Sequence, residues 1–219
     1  MLRRTGIEYS GMCLIGAGAA QISFWLSTAL VILIITGRVV TFFNWVIPMW
    51  RSAQIVNVLA VVLALIGLIG VYKFIRTKPS ALDPLSFLFA FLGTLLLLAQ
   101  RTILLLNMHA PFSLSPQQWT FFTSPFMEAV AAIFVLGYLL IGASVWPFGK
   151  LFRFSAILLV CGAILENVVI DAPQIRLMEA VLSDIRILSL EIMILVLGSI
   201  LWGIGTLLLG QSLLGSLRG

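Results

Sequence analysis

Arg101 stands inside the run "LLLLAQRTILLL", and Glu128, Glu166 and Glu191 stand inside or at the margins of three other apolar runs. Counted from the ends of their hydrophobic stretches, all four fall at nearly one depth. Arg101 lies about five residues from one end, roughly 7 Å at about 1.5 Å per residue, and the glutamates about three to four residues from the corresponding ends of theirs. Asn57 falls close to the same layer. An arginine near the middle of a membrane helix costs about 2.5 to 3.5 kcal/mol on insertion scales, so its presence needs a reason.

Two kinds of chemistry fit this set. If the four side chains converge, one positive and three negative groups cannot all remain unpaired in a low-dielectric place. A carboxyl then holds a proton or a cation joins the group, giving a proton- or cation-responsive site with Arg101 as its fixed positive centre. The plainer reading is that Arg101 pairs with a single glutamate and ties two helices, while the other carboxylates reach headgroup water unaided. Matched depth is one coordinate only and says nothing of helix rotation, so the helix tie is the favoured reading.

Other chemistry is thinly represented. His109 is the only histidine, so neither bis-histidine haem ligation nor a histidine-rich zinc site can be built within the chain. No HExxH, GxSxG or P-loop pattern occurs. His109 lies in "NMHAPFSLSPQQW" near Ser113 and Ser115, which reads as a polar loop rather than a hydrolase pair. Cys13 and Cys161 sit in apolar runs without a CxxC spacing and read as small core residues. No catalytic residues, no metal and no cofactor are expected.

The elements that must position these residues follow from composition. The chain has 219 residues, 61% of them hydrophobic and 10% charged, with a mean hydropathy of +1.16. Soluble domains are about half apolar and roughly a quarter charged. The expected fold class is therefore all-α, a polytopic integral membrane helical bundle forming a single transmembrane domain over residues 1–219. The formal charge of +5 is spread in ones and twos beside apolar runs, which suits anionic lipid headgroups rather than nucleic acid.

A hydrocarbon core about 30 Å thick takes roughly 20 apolar residues per helix. Six stretches meet that length, at approximately 12–37, 54–72, 84–106, 125–146, 151–170 and 187–209. Between the first two, "VVTFFNWVIPMW" is too short to cross and contains Pro48, so it is expected along the interface. The basic start and the Ala-Gly-Ala step of the first twenty residues resemble a signal peptide only loosely, because Glu8 interrupts them and the apolar run continues; an uncleaved first helix is expected. "DAPQIRLMEAVLSDIR", Asp171 to Arg186, carries apolar residues at helical spacing and is expected to be a short outer amphipathic helix before the sixth span.

Six spans put both termini on one side. Arg3, Arg4, Lys73, Arg76, Lys78, Lys150, Arg153 and Arg218 sort to that side and Arg38, Arg51, Arg176 and Arg186 to the other. The positive-inside rule then places both termini in the cytoplasm of a cell membrane. Trp45, Trp50 and Trp119 fit an outer aromatic belt.

The fourth and sixth spans share VLGxxLxG, in "VLGYLLIG" and "VLGSILWG", which aligns Gly137 with Gly198 and Gly142 with Gly203. Gly67 and Gly70 occupy the second span. Three parallel hairpins are conceivable, but close helix packing through small residues explains the glycines without a repeat. These features favour a non-catalytic membrane component, a scaffold, accessory or sensor-type subunit whose partners are the lipid bilayer and other membrane protein subunits. The alternative is a small transporter or substrate-binding membrane subunit that uses the Arg/Glu layer for proton or cation coupling.

Overall fold

In a computed structural model the described residues form six α-helices. The structure describes residues 2–37, 43–77, 83–109, 125–168 and 185–217, with side chains over 5–28, 54–77, 83–103, 105–106, 128–166 and 194–217. The helices are α1 (Leu2–Gly37), α2 (Phe43–Ile75), α3 (Asp83–His109), α4 (Pro125–Val145), α5 (Lys150–Val168) and α6 (Ile185–Ser216). Four stretches among the described residues, Gln54–Ile75, Asp83–Ile103, Glu128–Phe148 and Ile194–Ser216, are long and apolar enough to cross a membrane. Their outward faces are apolar too: Leu85, Leu88, Leu92 and Leu95 form an exposed stripe at helical spacing on α3. Such a surface is at home in lipid rather than in water. The protein is a polytopic membrane helical bundle.

Several boundaries move outward from those read in the sequence. The interfacial segment is, from Phe43, continuous with α2. Pro48 lacks an N–H and so removes the bond to the Asn44 carbonyl, but one lost bond near a helix start does not end a 33-residue helix. At about 1.5 Å per residue α2 is roughly 50 Å long, so it overshoots the hydrocarbon core. His109, placed in a loop by sequence, is the last residue of α3. Residues 171–184, within the expected amphipathic helix, lie outside the described residues, as do residues 110–124.

The helices pack in chain order, each against the next, and α6 closes the ring against α1. Gly11 and Gly18 of α1 meet Gly210 and Gly203 of α6, numbers running in opposite directions, so both termini share one end of the bundle. At that end a single 3-10 turn, Trp146–Phe148, joins α4 to α5. Pro147 stops α4 there, and Gly149 adopts φ 131°, a left-handed conformation open to glycine. Phe74 of α2 stacks on Phe148 and Phe152, with centroids 4.7 and 5.3 Å away, and Tyr72 stacks on Phe87 at 4.4 Å.

Glycines fix the closest approaches. A Cβ on Gly137 would land on the backbone of Ala90 in α3, one on Gly198 on the backbone of Glu166 in α5, and ones on Gly67 and Gly70 on Leu14 and Ser10 of α1. Each of these helices therefore seats glycine on the helix that precedes it. Gly142 and Gly203 face the next helix around the ring, meeting Val160 of α5 and Ile22 of α1. The two VLGxxLxG segments thus pack in the same manner. All six glycines are consumed by contacts inside this chain.

Candidate functional site

On α3 the residues Asp83, Ser86, Ala90, Thr94, Leu97 and Arg101 are all buried and recur every three or four positions. Arg101 thereby belongs to the helix's core face. On α5 the same logic runs through Phe152, Ser155, Leu159, Ala163 and Glu166. Both charged residues are set by the stripe that the apolar core demands. Their side chains meet in the bundle interior, Arg101 Nη2 donating to Glu166 Oε1 at 2.9 Å, with side-chain exposures of 4% and 3%. Because α4 lies between α3 and α5 in the ring, this pair crosses the interior rather than stapling adjacent helices.

The pair does not exhaust its own bonding capacity. Arg101 Nε and Nη1 and Glu166 Oε2 make no hydrogen bond within the protein. Ser199 of α6 turns its buried hydroxyl toward the Glu166 carboxylate without closing a well-formed bond to it. One turn along α6, Trp202 is 1% exposed and turns its indole N–H toward the Tyr138 hydroxyl without closing a well-formed bond. Trp202 packs on Tyr138 and Phe134 of α4, with centroids 5.8 and 6.0 Å away. Thr94 Oγ1 gives its single proton to the Ala90 carbonyl at 2.7 Å. The Tyr138 hydroxyl, 3.3 Å from Thr94 Oγ1, is therefore the donor in that bond.

Further buried polar groups come from the remaining helices. Gln21 of α1 lies against α6 at Gly203, and Trp25 one turn further packs with Phe24 and Leu195. Gln54 and Asn57 of α2 are 1% and 0% exposed and share a 3.4 Å hydrogen bond from Asn57 Nδ2 to Gln54 Oε1. Gln100 is buried beside Arg101 in sequence. Gln21 Oε1, Trp25 Nε1, Asn57 Oδ1 and Gln100 Oε1 have no partner inside the protein.

The residues singled out by depth are only partly brought together. Arg101 and Glu166 touch. Asn57 is buried and bonds within its own helix. Glu128 is exposed, because the core face of α4 runs through Val130, Phe134, Tyr138, Ile141 and Val145; two residues before Val130, it points about 160° away. Glu191 lies in α6, and its side chain is outside the described residues. The convergence of one arginine with three glutamates is thus reduced, among the described side chains, to a one-to-one pair. Gln21, Trp25, Gln100, Ser199 and Trp202 were not singled out, since uncharged polar residues and tryptophans carry little depth signal in apolar runs.

Cys161 is exposed on the outside of α5 and Cys13 is half-buried; both are free thiols. This corrects the reading of Cys161 as a core residue: it follows Val160 on the side of α5 turned away from Leu159 and Ala163. Among the described residues no three His, Cys, Asp or Glu side chains gather as metal ligands.

Among the described side chains of this layer, charge and hydrogen bonding are offered without net charge, since Arg101 and Glu166 pair one to one. Unpartnered donors come from Arg101, Trp25 and Trp202; unpartnered acceptors from Glu166, Gln21, Asn57 and Gln100; Ser199 can serve as either. Compared with protein families, curated proteins and solved structures, the chain matches none of them.

Proposed function

We propose that the protein is a non-catalytic, solute-binding component of a cell membrane, of the transporter or substrate-binding subunit kind, with its site in the interior of the helix ring and both termini in the cytoplasm. The observation that carries this reading is the set of nine buried side-chain atoms without an intraprotein partner, in residues drawn from α1, α2, α3, α5 and α6. Leaving one such group unsatisfied costs about 1 to 3 kcal/mol, and lipid supplies no hydrogen bonds to relieve it. A layer that repeats this cost around the bundle is suited to a polar molecule that enters and completes the bonding.

A helix-tying role alone would ask less of the same residues. A tie is best made with every donor and acceptor used, whereas Arg101 leaves Nε and Nη1 free and Glu166 leaves Oε2 free. A scaffold that recruits partners through its small-residue faces is also less favoured, because Gly67, Gly70, Gly137, Gly142, Gly198 and Gly203 meet helices of this chain.

The test is retention of small molecules. Purified protein is incubated with a small-molecule extract of its source cells, washed, and its bound compounds are identified by mass spectrometry beside the Arg101→Met/Glu166→Leu double variant. The expected result is a compound retained stoichiometrically by the native protein and lost from the variant. Identical profiles for the two proteins would overturn the reading.

A further inference from the structure

Resting on the solute-binding reading, we infer that the occupant of the Arg101–Glu166 layer is a compact zwitterion of the α-amino acid type with an uncharged side chain. Arg101 and Glu166 neutralise each other at 2.9 Å, so a cation or an anion alone would bring an uncompensated charge into a region where both side chains are almost wholly buried. A net-neutral guest avoids this.

The kind of neutral guest follows from the atoms left over. Two of the unpartnered donors, Arg101 Nε and Nη1, belong to a guanidinium, and one of the acceptors, Glu166 Oε2, belongs to a carboxylate. Charge-assisted hydrogen bonds are shorter and roughly twice as strong as neutral ones. The partners that use these atoms best are a carboxylate for Arg101 and an ammonium for Glu166. A sugar or polyol would make only one-sided charge-assisted bonds to the same atoms.

Spacing narrows the class again. The host's two charges are in direct contact, so the guest's must be close as well. In an α-amino acid the ammonium nitrogen and a carboxylate oxygen are held about 3 Å apart by two backbone bonds and the C–O bond. Such a guest offers, in antiparallel order, a carboxylate to Arg101 and an ammonium to Glu166, with the Ser199 hydroxyl beside Glu166 as a further partner. A zwitterion with several methylenes between its charges must fold to reach both at once, at a cost in chain entropy that an α-amino acid avoids. A charged side chain on the guest would meet only the uncharged Gln21, Asn57, Gln100 and the indoles of Trp25 and Trp202 among the unpartnered groups, and so would remain unneutralised.

The test is a charge-and-spacing series on the full-length protein in detergent, read as the ligand-dependent rise in unfolding temperature, which follows mass action for a ligand bound by the folded state. The probes are the common α-amino acids one at a time, γ-aminobutyrate, acetate, methylammonium and glycerol. At least one α-amino acid with an uncharged side chain is expected to saturate at about tenfold lower concentration than any of the other probes. That rise should vanish in Arg101→Met/Glu166→Leu and need several-fold more ligand in Ser199→Ala. The Ser199→Ala variant makes a small change beside the Glu166 carboxylate and serves as the readout if the double variant fails to fold. Preferential saturation by acetate, methylammonium, glycerol, γ-aminobutyrate or a charged-side-chain amino acid, lost in these variants, would overturn the zwitterion while leaving a solute site in place. No response to any probe, with another compound retained from the cell extract, would do the same. No response together with no retained compound would overturn both.

Discussion

At the end of the bundle that holds both termini, buried hydroxyls are used up. Ser10 donates to the Gly6 carbonyl, Ser86 to Asp83, Ser155 to Phe152 and Ser212 to Leu208, while Ser144 donates to Ser86. Rings fill the space between, with Phe74, Phe148 and Phe152 joining α2 to the α4–α5 turn. Toward the Arg101 end the same ring of helices encloses side chains of which many keep an unused donor or acceptor. Identical architecture therefore serves two purposes along one axis. Where polar atoms are closed off locally the bundle forms a collar, and where they are left open lies the proposed site.

The contrast breaks most visibly at the ion pair. Arg101→Met alone strands a buried carboxylate and is expected to lower stability by about 3 to 5 kcal/mol, whereas adding Glu166→Leu should recover most of that loss. Denaturant unfolding of the four proteins in a double-mutant cycle checks it, and a double variant as unstable as the single one would show that the pair is itself a structural necessity. Overpacking probes the collar's seams. Gly137→Val would drive a side chain into the Ala90 backbone and should cost about 1 to 3 kcal/mol, while Gly215→Ala, with nothing within 4 Å of its Cβ position, should be silent in the same melt.

A gentler pair of changes sharpens the comparison directly. Ser144→Ala removes a bonded hydroxyl from the collar and should cost about 1 kcal/mol. Ser199→Ala removes one that lies beside Glu166 without a well-formed bond and should lower the unfolding temperature of the ligand-free protein less than Ser144→Ala does. The smallest effect is expected at Glu128, exposed on α4: Glu128→Gln should change neither the melt nor the solute-dependent shift, and a clear loss of that shift would put α4's outer face into the site.

The sequence made the bundle legible because a hydrocarbon slab sets helix length, and long apolar runs show that length directly. It also placed Arg101 and Glu166 at one depth, and they meet. It could not show rotation about each helix axis. Glu128 matched in depth yet belongs to the opposite side of α4 from Val130 and Phe134, a fact visible only once the core face is known. The α3 stripe from Asp83 to Arg101 was readable in principle, since its polar members Ser86, Thr94 and Arg101 recur at helical spacing. Gln21, Ser199 and Trp202 were not, because a lone glutamine, serine or tryptophan in an apolar helix looks the same whether it faces a neighbour, lipid or a polar interior.

The central claim is that a polar molecule from water reaches the Arg101–Glu166 layer, and thiol accessibility tests it most directly. In protein whose two native cysteines, Cys13 and Cys161, are replaced by alanine, Ser199→Cys and Thr206→Cys are compared for reaction with a small, charged, membrane-impermeant thiosulfonate in sealed proteoliposomes. Both positions are buried in α6, and Thr206 already spends its hydroxyl on the Trp202 carbonyl at 2.8 Å. The account predicts modification at position 199 from one side of the membrane and none at 206. Equal protection of the two positions from both sides would contradict it.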